Sequence, residues 1–228
     1  PNSSKRFQQV RDRWILEHFS KDGWNVKRAD SDPCLFIISR DDDIVWMLCH
    51  SDDCDCTSKS ESSMQLIFEA FDTKFGVEDC DPRFMLGIER NRSKDGKFLE
   101  LTQTGFIEQL YEQFRHLIPG NKAPNIPVPY GTFITRVPQR AVTKERWEEL
   151  EREGKRIHAM DFRSLLGSLL WCARMTRPEC LVGCSMMAKV MCQPTQEAFD
   201  VGLSMLAYVY ANRNTGIKFS AEGSLTPV

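Results

Sequence analysis

The chain has 228 residues, of which 41% are hydrophobic and 27% charged, a globular makeup with length for one or two packed units. Its net charge of −2 excludes a nucleic-acid binder working through whole-molecule charge, so any such surface must be local. No apolar run approaches the roughly 18 residues of a membrane span, and the polar start cannot be the apolar core of a signal peptide. The reading is an intracellular protein, cytoplasmic or nuclear, with no membrane partner; its nine cysteines, odd in number and irregular in spacing, fit free thiols in a reducing compartment.

Phe7, Val10, Trp14, Ile15, His18 and Phe19 recur at helical spacing, and Gly23 follows where a helix would stop, so a helix is predicted over about 5–21. Two short runs, 34–39 and 44–50, flank Arg40-Asp41-Asp42-Asp43 in the pattern of an antiparallel hairpin, each apolar enough to be a buried strand. Ser51-Asp52-Asp53 makes a second turn into a brief strand over 54–57. Ser58 and Glu61 then stand three apart as a capping box, and Met64, Ile67, Phe68, Phe71 and Phe75 line one helix face ending near Gly76. The runs 84–92 and 98–102 flank Lys94-Asp95-Gly96-Lys97, a strong hairpin signal.

From Gln103 the period changes to that of a helix. Phe106, Ile107, Leu110, Tyr111 and Phe114 form one stripe, and Phe162, Leu165, Leu166, Leu169, Leu170 and Ala173 another. Between them lie a proline-rich stretch, 119–138, and a charged helix over about 143–155, where Glu residues interleave with Lys144, Arg146, Arg152, Lys155 and Arg156 in the manner of a solvated face. Thr176 before Arg177-Pro178, and Thr195 after Pro194, mark two more helix starts. The fold class expected is α+β: a small antiparallel sheet with helices on one face over 1–102, an all-helical region over 103–212, and a linker over 213–228.

Asp52 and Asp53 are the sharpest chemical feature. Adjacent carboxylates on a tight turn between strands offer hard oxygen ligands to Mg²⁺, and two ions about 4 Å apart can clamp both oxygens of a phosphoryl transfer. The dipeptide alone is weak evidence, because Asp41-Asp42-Asp43 provides an internal control that reads as a solvated turn. Cys49, His50, Cys54 and Cys56 read less well as a zinc cluster, since their gaps match no usual pattern and alternation sends Cys49 and His50 to opposite faces.

The run Met47-Leu48-Cys49-His50-Ser51-Asp52-Asp53-Cys54 resembles the strand-turn-strand of a reverse transcriptase, with its Tyr-x-Asp-Asp box. Gly23-Trp24 with Asp32-Pro33-Cys34-Leu35-Phe36, then Phe84-Met85-Leu86-Gly87-Ile88-Glu89 with Leu101-Thr102-Gln103, are similar to successive segments of copia-type retrotransposon enzymes. So are Phe162-Arg163-Ser164-Leu165-Leu166-Gly167-Ser168-Leu169-Leu170-Trp171, Thr176-Arg177-Pro178-Glu179, Gln193-Pro194-Thr195 and Thr215-Gly216-Ile217, in order.

The resemblance implies the second half of a polymerase palm followed by a thumb, in the Pol polyprotein of a transposable element. Asp52 and Asp53 would be catalytic, metal-binding carboxylates for Mg²⁺ or Mn²⁺, adding deoxynucleoside triphosphates to a primer on an RNA or DNA template. His50, Leu86 and Gly87 would touch the primer, and Arg90, Arg92, Lys94 and Lys97 its phosphates. The family has tyrosine where His50 stands, takes a further aspartate from an earlier strand together with the fingers, and continues into a ribonuclease H domain. Other Pol segments are therefore expected as partners, and the chain alone is expected not to polymerise. The rival expectation is a non-catalytic remnant serving as a nucleic-acid-binding or structural module.

Overall fold

The computed structural model describes residues 3–118, 120, 123–132, 134, 145, 148, 149, 152, 159–192 and 194–220. The fold is α+β and divides into two compact units, Pro1–Cys80 and Asp81–Val228. Most of the expected charged helix, with Lys144, Arg146, Lys155 and Arg156, and much of the proline-rich stretch before it lie outside the described residues.

The first unit opens with helix α1 (Ser3–Lys21), followed by four strands: β1 (Asn25–Arg28), β2 (Leu35–Arg40), β3 (Asp43–His50) and β4 (Asp53–Ser58). They form an antiparallel meander in the order β1-β2-β3-β4, closed by helix α2 (Glu61–Phe75). On β3, Val45, Met47 and Cys49 are buried while Ile44, Trp46, Leu48 and His50 are exposed. The expectation of strands buried on both faces therefore fails for β3: one face packs with Ile15 and Phe19 of α1 and Ile67 and Phe71 of α2, and the other stays open, Trp46 at 44%. The N-cap of α2 is Ser60, whose hydroxyl accepts from the Ser63 amide, rather than Ser58. Ser58 Oγ is spent on the Ile44 carbonyl and the Ser60 amide.

The second unit holds strands β5 (Phe84–Met85), β6 (Ile88–Arg92) and β7 (Phe98–Thr102), then helix α3 (Thr104–Phe114), α4 (Ala159–Met175), α5 (Leu181–Ala188) and α6 (Gln196–Ala211), and finally β8 (Ile217–Ser220). Two expectations are corrected here. The apolar run 84–92 is two strands, and part of the anticipated linker is a strand that pairs with β7 from Phe98↔Ser220 to Leu101↔Ile217. Among the described residues, the helices and β8 are thus the regular elements beyond Gln103, with irregular backbone over 123–132. The helical stripes bury Ile107, Leu110, Phe114, Phe162, Leu165, Leu166 and Leu169 in one core, with Leu170 left 39% exposed. Thr195 caps α6 as expected, accepting from the Ala198 amide at 3.1 Å. Among the described residues no helix is long and apolar enough to cross a membrane.

Candidate functional site

The site is built on the β3–β4 hairpin. His50 and Asp53 pair across its end, leaving Ser51-Asp52 as a two-residue turn in which Ser51 takes φ +54°. A side chain in that left-handed region costs about 1–2 kcal/mol, so something must hold the turn. The holder is Arg11 of α1, only 3% exposed, whose guanidinium donates to the Ser51 carbonyl. The same group grips Asp12 through Nε at 3.1 Å and Nη2 at 2.8 Å, and Arg28 of β1 reaches the other Asp12 oxygen at 2.8 Å. Burial alone would lower the Arg11 pKa, but its hydrogen bond to Asp12 and the negative groups around it raise it above the ordinary value. A charged relay of helix, strand and turn therefore fixes the tip of the hairpin.

Both carboxylates of the dyad are exposed. By register Asp53 lies on the open face beside His50, and Asp55 lies on the same face opposite Leu48. Cys49 and Cys54 are opposite each other on the helix-covered side, with Sγ atoms 3.3 Å apart. Cys49 is pushed up in pKa by that contact and by burial, whereas Cys54 is lowered, first by the contact with Cys49 and then, against its own burial, by the Arg11 charge. Cys49 and His50 do face opposite ways.

The control turn has the same backbone. Asp41-Asp42 is also a two-residue loop, closed by Arg40↔Asp43, with Asp41 at φ +54°. Its third acid is spent: Asp43 accepts the Ser63 hydroxyl at 2.7 Å at the start of α2.

The donor chemistry of Asp52 and Asp53 fits Mg²⁺, which prefers hard oxygens, yet the number falls short of a closed site. Among the described residues no three His, Cys, Asp or Glu side chains stand together as a metal site. Asp12, the acid linked to the turn through Arg11, is neutralised by two guanidiniums and is no substitute ligand.

In the second unit, Leu86 at φ +52° and Gly87 at φ +74° form the turn between β5 and β6, the type in which both central residues are left-handed. Arg92, Lys94 and Lys97 are exposed on the next hairpin, and Arg90 is half-buried. Asp95 in that hairpin accepts the Ser93 hydroxyl and the Lys97 amide, which hold its carboxyl below the usual range.

Several residues that the motifs carry have framework duties sequence reasoning did not assign. Glu89 accepts the Thr102 hydroxyl at 2.9 Å and the Gly105 amide at 2.8 Å, joining β6 to β7 and to the first turn of α3. Thr176 donates to Gln103 at 2.8 Å inside the protein. Arg177, 3% exposed, binds Glu179 at 2.6 Å and the Asn212 carbonyl at 2.8 Å, clamping the end of α6. Gly216 approaches β7 so closely that a Cβ there would run into the Leu101 carbonyl oxygen. Compared with protein-family models, curated proteins and solved structures, the chain matches none.

Proposed function

We propose that this chain is a segment of a copia-type reverse transcriptase, holding part of the palm and a thumb-like helical unit, and that Asp52 and Asp53 are its metal-binding acids. The observation that carries the reading is the placement of both aspartates, exposed and adjacent, at the tip of an antiparallel hairpin whose turn is anchored from behind by a buried arginine. The ordered motifs of the sequence support it from a separate direction.

In this reading Asp52 and Asp53 would hold Mg²⁺, which when bound supplies activation of the primer 3′-hydroxyl and neutralises charge on the departing pyrophosphate. The protein's part is positional. Arg11 keeps the turn in place, His50 lies across from Asp53 on the open face for contact with the primer end, and the Leu86-Gly87 turn with Arg92, Lys94 and Lys97 contacts primer and phosphates. With no third acid grouped beside the dyad among the described residues, a loss of about 1000-fold, or about 4 kcal/mol of barrier, is expected of this chain by itself.

The test is Mg²⁺-dependent primer extension by two proteins: the 228-residue chain, and a version prolonged by the coding sequence immediately upstream. The longer protein should extend a primer and lose this with Asp52→Asn, while the shorter one stays silent. Failure of the longer protein would favour the rival reading, a non-catalytic module that binds nucleic acid or serves a structural role; extension by the short chain would refute the expected loss.

A further inference from the structure

Cys49 and Cys54 are directly opposed residues of β3 and β4, with Sγ atoms 3.3 Å apart. The backbone suits them to closer union. His50↔Asp53 closes a two-residue hairpin and is the hydrogen-bonded kind of pair, so the next pair inward is the non-hydrogen-bonded kind; in keeping with this, Cys49 gives its N–H to the Cys34 carbonyl on β2's side at 2.9 Å. Such pairs bring Cα atoms to about 4.5 Å, within the roughly 4.4–6.8 Å that a disulfide spans. Access is unequal: Cys49 is fully buried against the helices, and Cys54 is exposed.

We propose that Cys49 and Cys54 form a thiol–disulfide exchange site, which a low-molecular-weight disulfide of the glutathione type closes into a bridge around His50-Ser51-Asp52-Asp53. The exposed Cys54 sulfur gives up its proton and attacks one sulfur of the oxidant, making a mixed disulfide and expelling one thiol. The Cys49 sulfur then gives up its proton, attacks Cys54 Sγ from its adjacent position and expels the second thiol. Two protein thiols supply two electrons and two protons, and the oxidant leaves as two thiols. The bridge ties the stem of the acidic hairpin covalently just behind the turn that Arg11 holds. This site is independent of the nucleotidyl-transfer reading, and its test has no activity readout.

The experiment incubates the full 228-residue chain in glutathione redox buffers, quenches exchange with acid, unfolds the chain in guanidinium with N-ethylmaleimide so that buried and exposed free thiols alike are blocked, reduces, and labels the newly released thiols with iodoacetamide for mass spectrometry. Cys49 and Cys54 should together escape the first reagent in the same molecules, without a glutathione adduct, and take the second. Exposed Cys80 and Cys192 acquire adducts instead, which mass distinguishes from a bridge. Cys54→Ser should return Cys49 to the first reagent, while Cys34→Ser should change neither. A lasting glutathione adduct on Cys54, a bridge from Cys49 to Cys34 or Cys56, or complete first labelling of wild type under oxidising buffer would each overturn the proposal.

Discussion

Replacing Arg11 with methionine keeps the length and apolar stem of the side chain but removes the guanidinium behind the acidic turn. The Ser51 carbonyl loses a charged donor, worth about 1.5–3 kcal/mol, and the left-handed Ser51 backbone loses its restraint. Asp12 fares better, since it is 21% exposed and keeps Arg28 at 2.8 Å, so its share is about 1 kcal/mol or less. A loss of about 2 kcal/mol in the local stability of the hairpin follows, which is about a 30-fold rise in the population of its open form. Hydrogen exchange of the segment 44–58 in the Arg11→Met protein reads this directly, with the β6–β7 hairpin of the second unit as the unaffected reference. Exchange rates within about twofold of wild type would show that Arg11 does not anchor the turn.

Gly216→Ala should detach β8 from β7, because the added Cβ meets a backbone carbonyl that cannot step aside; a cost of about 1–3 kcal/mol by urea denaturation, with lost amide protection at 217–220, is expected. Arg177→Met should destabilise the second unit by about 2–3 kcal/mol, less than the roughly 3–5 kcal/mol of a fully buried broken pair since Glu179 is 37% exposed, and thermal unfolding of that unit measures it. Burial pushes the Cys172 and Cys180 thiols up to about 12. A raised thiol pKa keeps the thiolate scarce until the pH nears it, so at pH 8 both should resist iodoacetamide in native protein, at about one thiolate in 10,000, while exposed Cys80 and Cys192 react first.

How much of this was legible depended on range. The hairpins at Asp41-Asp42 and Ser51-Asp52 could be read because polar turns interrupt short β-rich runs, a local signal. β1 was missed because Asn25-Val26-Lys27-Arg28 has one apolar residue and owes its strand to pairing with β2. β8 was missed because four residues, even with Ile217 and Phe219 alternating, are too short a signal by themselves and their partner β7 lies far back in the chain. The turn at Leu86-Gly87 hid inside an apolar run, since nothing marks Leu86 as left-handed until the strands are seen to pair. At the site, the position of the dyad followed from the turn chemistry. The arginine behind it did not, because Arg11 sits on a helix 40 residues earlier in the chain and resembles any surface cation there. Nor could the sequence tell that Asp12 was already spent on two arginines.

The central claim is that Asp52 and Asp53 are presented for a divalent cation and that Asp41-Asp42-Asp43, on a turn of the same backbone type, is not. Titrating Mn²⁺ into isotope-labelled protein and following paramagnetic broadening of backbone amides compares the two turns within one molecule. Broadening should appear first around 50–54 and vanish in the Asp52→Asn, Asp53→Asn double variant with the 41–43 signals unchanged. Equal broadening at both turns, or earlier broadening at 41–43, would contradict the account.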